Sequence, residues 1–309
     1  MLRYGQLSRH PKVFKQLTGL GLDTFDEVVQ EVLPALGQAE QCRLSQRPRQ
    51  RAIGAGRHFE LAARDQILLT VVWLRQYPIH EVLAYLFGVS DSTVSRAIGR
   101  VLPLLEQAGR DTMRLPDPGR KHRRTLDALL AALPEVVVII DSFEQRVQRP
   151  RGRQAADDLY SGKKKQHTLK SQLAVDEEGR IVDVADSVRG PTADIALLEQ
   201  SGLLGRLPPG VGGMGDLGYV GIDKAHPEGL GAAPRKKPRG QPRPPEDIAY
   251  NTAFSRRRIV VEHRIGRVRR FQSLSQTDRN HRHGHTARVC AVSGLVNRQR
   301  DRQQRQRAA

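Results

Sequence analysis

The sequence has little cysteine and no long apolar run. Its 309 residues include two cysteines, Cys42 and Cys290, which are far apart and form no Cys-x-x-Cys pair. We therefore expect neither a disulfide framework nor a cysteine-based zinc site. The first residues lack an apolar signal core, and no stretch approaches the roughly 18 apolar residues that span a membrane. These absences favour a folded protein of a reducing cytoplasm.

Positive charge is what the chain has in excess. The 51 lysines and arginines outnumber the 33 acidic residues, which gives a formal net charge of +18. Such a field favours a polyanionic partner, and nucleic acid is the commonest one. The alternative is a basic protein from an arginine-rich genome, because net charge determines association and not fold.

Residue patterns divide the chain into four regions, 1–105, 106–134, 135–298 and 299–309. The first has the apolar spacing of helices, clearest from Phe59 to Leu105. The second is a polar, basic linker that contains Arg120, Lys121, Arg123 and Arg124. The third mixes β-branched runs with helical stretches and predicts an α/β domain. The last is rich in arginine and glutamine and is predicted to be a flexible tail.

Secondary-structure elements can be predicted within the third region. Strands are predicted at 136–140, 168–175, 180–188 and 211–214. Helices are predicted near 194–204 and at about 251–271.

Residues 79–102 have the pattern of a helix-turn-helix. Gly88 can adopt the positive φ of a tight turn, and Ser90 or Asp91 can cap the second helix. That helix would turn a polar set outward, suited to base edges and phosphates: Ser92, Thr93, Ser95 and Arg96. A plain helical hairpin with a polar face is the alternative interpretation.

Two aspartates stand at the ends of predicted strands. The apolar run from Val136 to Ile140 leads directly into Asp141. Asp216 follows the strand at 211–214 and lies between glycines that allow a sharp turn. A carboxylate at such a place is costly to bury unless it is paired or binds a metal. Each feature alone is commonplace.

Glu262 is the one acid between residues 251 and 271, on a helix crowded with arginines. An ordinary surface helix would interleave acids with its arginines. A single acid among cations instead suits a metal ligand beside a phosphate backbone. A salt bridge between Glu262 and Arg258 is the structural alternative.

Taken in order, these elements resemble the DDE transposases of bacterial insertion sequences, in particular the insertion-sequence-five-like group related to the Harbinger elements. The similar segments are Arg149-Pro150, 160–170, 215–219, 258–269 and 295–297. The resemblance covers about residues 59–297, and the order of the motifs is what makes it specific. Ser255 and Arg269 depart from the family's Tyr and Lys. Asp194, in another family-like segment, is the rival to Asp216 as the second acid.

The resemblance implies a ribonuclease-H-like α/β catalytic domain, a mixed sheet flanked by helices, preceded by the all-α helix-turn-helix domain. It implies that Asp141, Asp216 and Glu262 hold two Mg²⁺ ions, for which Mn²⁺ can substitute. The implied reaction is cleavage at the ends of an insertion sequence, followed by strand transfer into target DNA.

The resemblance also suggests which residues bind DNA. Lys170, Arg258 and Arg269 would contact phosphates near the scissile bond. Two basic stretches would hold flanking backbone, 161–165 with Lys163, Lys164 and Lys165, and 235–239; a merely solvated face is the alternative. The partners would be double-stranded terminal repeats and target DNA. Because two ends must be paired, a homodimer or larger assembly is expected.

Three other functions remain open. A helix-turn-helix repressor with an inactive second domain would bind DNA without cutting it. Another ribonuclease-H-like nuclease, such as a junction resolvase, would cut without joining. A generic basic structural protein would leave the order of the three acids unexplained.

Overall fold

A computed structural model of the protein describes residues 1–46, 60–119 and 136–308. Tertiary contacts group the chain into two units. The first comprises Met1–Thr112, Arg269–Gln276 and Ala287–Ala309, and the second comprises Met113–Val268 and Thr277–Thr286. Each unit is therefore discontinuous in sequence.

The described part of the first unit is helical. From the N-terminus it contains α1 (Tyr4–Leu7), α2 (Pro11–Thr18), α3 (Leu22–Ser45), α4 (Ala63–Gln76), α5 (His80–Phe87) and α6 (Asp91–Arg110). Phe14 of α2 and Phe25 of α3 meet edge to face, with ring centroids 5.2 Å apart, in the core that these helices share. No helix among the residues described is both long and apolar enough to cross a membrane.

Helices α5 and α6 form the helix-turn-helix that the sequence predicts. Gly88 ends α5 in the left-handed conformation, with a φ of 61°. Ser90 caps α6, because its side-chain oxygen accepts a hydrogen bond from the backbone N–H of Thr93 at 3.2 Å. Four apolar side chains are buried where the two helices pack: Leu83, Phe87, Val94 and Ile98. The predicted turn and cap are both confirmed.

The second unit contains a mixed sheet of seven strands. They are β1 (Val136–Arg146), β2 (Tyr160–Ser161), β3 (Gln166–Val175), β4 (Ile181–Val184), β5 (Val188–Arg189), β6 (Val211–Met214) and β7 (Gly231–Ala232). The strand order is β2-β3-β1-β6-β7, and β4 and β5 also pair with β3. Strand β1 runs antiparallel to β3 and parallel to β6, and β7 is parallel to β6.

Helices cover this sheet. They are α7 (Arg153–Asp157), α8 (Asp194–Ser201), α9 (Leu203–Arg206), α10 (Ile222–Ala225) and α11 (Pro245–Val268). Residues of α8, α9 and α10 form one apolar cluster with Val138 and Ile140 of β1. Because side chains alternate along a strand, Ile139 and Asp141 point to the opposite face. Helix α11 contacts β1 and β3, and Arg258 on it reaches Asp141.

Several predicted boundaries need correction. Strand β1 continues through Arg146, because residues 141–146 pair with β3 although they form no apolar run. The strand predicted at 180–188 is divided into β4 and β5, and Gly202, with a φ of 63°, separates α8 from α9. Helix α11 begins at Pro245 and ends at Val268, so Glu246 and Asp247 of its first turn are also acids on that helix. The strand predicted at 211–214 is confirmed as β6.

The predicted linker at 106–134 is described only in part. Helix α6 continues into it as far as Arg110. The basic residues Arg120, Lys121, Arg123 and Arg124 lie outside the described residues, as does Phe59.

The last helix, α12 (His285–Ala308), packs on α6 within the first unit. The two helices approach so closely that a Cβ added to Gly294 would lie 2.3 Å from the Cα of Gly109. The Asn297 side-chain amide donates to the Thr112 hydroxyl at 3.0 Å, and Arg298 donates to the Ala108 carbonyl oxygen at 2.8 Å. The helix thus extends through most of the range expected to be a flexible tail, whereas the domain boundary at residue 298 stays a prediction.

Candidate active site

Two of the three predicted acids come from neighbouring parallel strands. Ile139 of β1 pairs with Met214 of β6 in parallel register. Asp141 and Asp216 each follow their paired residue by two positions, so the register brings both to the same edge of the sheet. The Asp216 charge is one of the causes that raise the pKa of Asp141. The structure therefore places these two carboxylates within electrostatic reach of each other.

Asp141 lies inside β1 and not at its end, contrary to the prediction. The pKa of this carboxyl is raised from 3.8 to about 6, chiefly by burial, and the charges of Asp216 and Glu262 contribute to the rise. Two contacts act in the opposite direction. The Ser142 backbone N–H donates to Oδ1 at 2.8 Å, and Nη2 of Arg258 lies 3.5 Å from Oδ2.

The turn that carries Asp216 depends on two glycines for space. A Cβ at Gly215 would lie 2.5 Å from the Cβ of Tyr219, and a Cβ at Gly218 would lie 2.5 Å from Oδ2 of Asp194. Neither glycine has a positive φ, so their role is close approach and not the conformational freedom expected from the sequence. The Asp216 carboxylate accepts the Gly218 N–H at 2.8 Å and caps the short 3-10 helix at 217–219.

Helix α11 brings Glu262 and Arg258 to the same site. Its apolar face is buried as predicted through Phe254, Val261 and Val268. Glu262 is exposed, yet its charge acts on Asp141. Arg258 is only 8% exposed and pairs with Asp141, not with Glu262, so the predicted structural alternative of a Glu262–Arg258 salt bridge does not form.

Asp194, the rival second acid, is held in an ion pair. Its Oδ1 accepts hydrogen bonds from the Lys170 ammonium at 2.8 Å and from the Ser142 hydroxyl at 2.7 Å. Lys170 also donates to the Thr192 carbonyl oxygen at 2.5 Å. Asp194 is not among the groups that shift the pKa of Asp141, whereas Asp216 is. Which of the two is the second acid stays a prediction.

Tyr219 is buried close enough to Asp141, Asp194 and Asp216 for their charges to act on its hydroxyl. Burial raises the pKa of its hydroxyl well above the ordinary value, and the charges of Asp194, Asp141 and Asp216 raise it further. The hydroxyl donates to Oε1 of Gln172 at 3.2 Å. Tyr219 therefore stays protonated and serves as a hydrogen-bond donor, not as a base.

The donor chemistry of the site fits a hard divalent cation. Asp141, Asp216 and Glu262 offer carboxylate oxygens, which Mg²⁺ and Mn²⁺ prefer. A cation beside Asp141 would favour the ionised form that burial disfavours. Within the described residues, however, no three His, Cys, Asp or Glu side chains are arranged to hold a metal. Arg258 supplies positive charge at Asp141 in the arrangement that the structure shows.

The residues predicted to bind DNA fall into two groups. Most of them face solvent. On α6, Ser92, Ser95 and Arg96 are exposed and Thr93 is half-buried. Lys163, Lys164 and Lys165 are exposed in the turn between β2 and β3, and Arg269 is exposed just after α11. Lys170 and Arg258, by contrast, are buried and neutralise acids. The phosphate contacts of these residues stay predictions.

Three further residues of the site were not among those predicted: Ser142, Gln172 and Tyr219. Tyr219 belongs to the Gly-Asp-x-Gly-Tyr motif, and Ser142 directly follows Asp141. Both positions could have been suspected. Gln172 could not, because its place depends on the register that pairs it with Ser142 across β1 and β3.

The fold and the site define a class of protein: an α/β enzyme with acids gathered at a central strand, in a chain that also carries a helix-turn-helix. The family profile of the DDE superfamily endonuclease matches residues 140–297, about half of the chain. The profile of the helix-turn-helix of DDE superfamily endonuclease matches residues 59–111. The chain therefore belongs to the DDE superfamily endonucleases.

Individual relatives agree with this family. The chain is 28% identical over 284 residues to the probable transposase for insertion sequence element IS702 of Microchaete diplosiphon, covering 92% of this chain and 93% of the relative. It is 26% identical over 127 residues to the putative nuclease HARBI1 of Homo sapiens, covering 40% of this chain and 35% of the relative. No solved structure matches the chain significantly. The resemblance predicted from the motifs is confirmed.

Proposed function

We propose that this protein is a transposase that cuts DNA at the ends of an insertion sequence and joins those ends to target DNA. The observation that carries the proposal is that the charges of Asp216, after β6, and Glu262, on α11, both act on the buried Asp141 of β1. The similarity to a probable transposase over nearly the whole chain supports joining as well as cutting.

We further propose that the α/β unit is ribonuclease-H-like. Strands β1, β3 and β4 form an antiparallel meander, and β6 and β7 then add in parallel to β1. Leaving aside the two-residue strands β2 and β5, the first acid lies on the first strand, the second follows the fourth strand, and the third is on a later helix. This is the order that the motif resemblance implies.

Asp141, Asp216 and Glu262 would hold two Mg²⁺ ions. When bound, such a pair supplies an activated attacking oxygen and charge stabilisation of the leaving oxygen. With a pKa of about 6, the Asp141 carboxyl is ionised above neutral pH and can serve as a ligand. Arg258 places a positive charge beside this ligand, which would suit a nearby phosphate.

DNA would be recognised by α6 and held by basic side chains. Ser92, Ser95 and Arg96 are exposed near the beginning of α6, where a helix in the major groove meets base edges. The turn at 162–165 presents three lysines to solvent, suited to the phosphate backbone. We propose that the protein works on nucleoid DNA as a dimer or larger assembly, because two element ends must be paired.

The test is a cleavage and joining assay. Full-length protein is incubated with linear DNA carrying the element's own ends, a target plasmid and Mg²⁺, and is compared with Asp141→Asn and Glu262→Gln. Both variants should lose cleavage and joining by at least about a hundredfold while they bind DNA as wild type does. Asp183→Asn, which removes an acid from β4 in the same unit, is the control and should remain active.

Each alternative function predicts a different result. Joining that both acid substitutions leave unchanged would refute the proposal. DNA binding by wild type without any Mg²⁺-dependent cleavage would indicate a repressor with an inactive second domain. Cleavage without joining would indicate another nuclease of the same fold.

A further inference from the structure

Asp194 connects the two chain segments that carry Asp141 and Asp216. We propose that it is a positioning residue, one that sets the placement of these two acids without itself binding a cation. The proposal rests on the function proposed above and assigns a role to a carboxylate that the three-acid site does not use.

One oxygen of Asp194 is tied to the Asp141 segment. Its Oδ1 accepts the Ser142 hydroxyl at 2.7 Å, while the backbone N–H of Ser142 donates to Oδ1 of Asp141 at 2.8 Å. Ser142 therefore donates to both carboxylates at once, one through its side chain and the other through its backbone. Moving Asp194 would remove the hydrogen bond that the Ser142 hydroxyl donates to it.

The other oxygen of Asp194 lies against the Asp216 turn. A Cβ at Gly218 would be 2.5 Å from Oδ2 of Asp194 and 3.0 Å from Oδ1 of Asp216, so both oxygens border the same small space. The Gly218 N–H donates to Oδ1 of Asp216 at 2.8 Å. Asp194 thus packs against the residue whose backbone orients the second acid.

Lys170 neutralises the charge of Asp194, so Asp194 is less suited than the three other acids to bind a cation. The pair is largely buried, with side-chain exposures of 9% for Lys170 and 17% for Asp194. A carboxylate that already has an ammonium and a hydroxyl on Oδ1 has less affinity left for a cation.

The competing explanation is that Asp194–Lys170 is only a structural ion pair. The same unit offers a matched example in Asp183–Arg206, in which Nη2 lies 2.9 Å from the carboxylate and Asp183 is 13% exposed. Removal of Asp194 should lower the thermal midpoint, since the buried Lys170 is left unpaired. Removal of Asp183 should lower it less, because its partner Arg206 is 51% exposed. Only Asp194 should also affect the site.

The experiment compares Asp194→Ala, Asp194→Asn and Asp183→Ala in the full-length protein. Affinity for Mn²⁺ is measured by calorimetry without DNA, and the cleavage rate and KM are measured with DNA ends and Mg²⁺. We expect Asp194→Ala to weaken Mn²⁺ binding and to lower kcat by about 10- to 100-fold each, the effect typical of residues that orient metal ligands, with KM for DNA within about twofold of wild type.

Asp194→Asn distinguishes positioning from ligation. Its amide oxygen can still accept a hydrogen bond from the Ser142 hydroxyl. We therefore expect Asp194→Asn to lose less Mn²⁺ affinity and less kcat than Asp194→Ala does. If Asp194→Asn loses Mn²⁺ binding as completely as Asp141→Asn does, the proposal is overturned and Asp194 is itself a ligand. If Asp194→Ala behaves like Asp183→Ala, with a lower thermal midpoint but wild-type Mn²⁺ affinity and kcat, then the Asp194–Lys170 pair has only a structural role.

Ser142→Ala serves if Asp194→Ala does not fold. It removes the link to the Asp141 segment and leaves the Asp194–Lys170 pair intact, so it should weaken Mn²⁺ binding in the same direction. Unchanged Mn²⁺ affinity in Ser142→Ala would contradict the proposal. Because calorimetry needs no DNA, absence of cleavage by wild type would refute the proposed function and leave this test standing.

Discussion

At the scale of single residues, Asp141 links the stability of the fold to its function. Burial raises the pKa of this carboxyl to about 6, so the folded protein binds its proton more tightly than the unfolded chain does. The stabilising effect is complete below the ordinary pKa and is lost as the pH rises through about 6. Above that pH, and without a bound cation, the ionised Asp141 carboxylate destabilises the folded state.

The Asp141→Asn variant should therefore be more stable than wild type at pH 8 in the presence of a chelator. We expect a gain on the order of 1–3 kcal/mol in the free energy of unfolding, which should disappear near pH 4. Denaturant unfolding at the two pH values measures it, with the exposed Asp223→Asn as the control. A variant less stable than wild type at pH 8 would show that the Arg258 pair outweighs the burial of the charge.

Gly218 shows that a missing side chain can be a functional requirement. An added Cβ would meet oxygens of both Asp194 and Asp216, and Asp194 cannot easily yield because Lys170 and Ser142 hold it. We expect Gly218→Ala to lower the cleavage rate by at least about tenfold, since small displacements of ligands are costly in catalysis. Gly205→Ala is the control, because nothing lies within 4 Å of its added Cβ. Equal activity in the two variants would contradict this account of the turn.

At the scale of elements, α6 and α12 cross so closely that their backbones are in contact at two glycines. Gly109 and Gly294 face each other, and a Cβ on either would collide with the backbone of the other helix. Gly294→Ala should lower the free energy of unfolding by about 1–3 kcal/mol, although alanine is the better helix former. Gly37→Ala on α3, where the added Cβ meets nothing, should raise it by up to about 1 kcal/mol. Thermal or denaturant unfolding would show whether the two changes have opposite signs.

Elements with strong local signals could be predicted, and those defined by tertiary pairing could not. The strand at 211–214 and the helix-turn-helix turn at Gly88 follow from patterns within a few residues. The second half of β1, residues 141–146, has Phe143 as its one apolar residue, and its pairing with β3 became visible only in the fold. For the same reason, the contacts of Lys170 and Arg258 with Asp194 and Asp141 could not be predicted, because their partners are distant in sequence.

At the scale of the whole molecule, the net charge of +18 should dominate binding to DNA. We expect the affinity to fall steeply with salt, because each phosphate contact releases condensed counterions. Replacing Lys163, Lys164 and Lys165 by glutamine should reduce the slope of log K against log salt by about 1–3 and leave sequence preference unchanged. Fluorescence anisotropy over a salt series measures the slope, with Lys12→Gln and Lys15→Gln on α2 as the control. An unchanged slope in the triple variant would remove the turn at 162–165 from the DNA interface.

The proposed reaction requires Asp141, Asp216 and Glu262 to form one cation site. The most direct test is crystallography of the full-length protein at pH 8 with Mn²⁺, using anomalous scattering to locate the ion. We predict an anomalous peak ligated by carboxylate oxygens of Asp141 and Asp216, with the Arg258 guanidinium moved away from Asp141. Mn²⁺ found only at other carboxylates, or at none while the Asp141–Arg258 pair persists, would contradict the account.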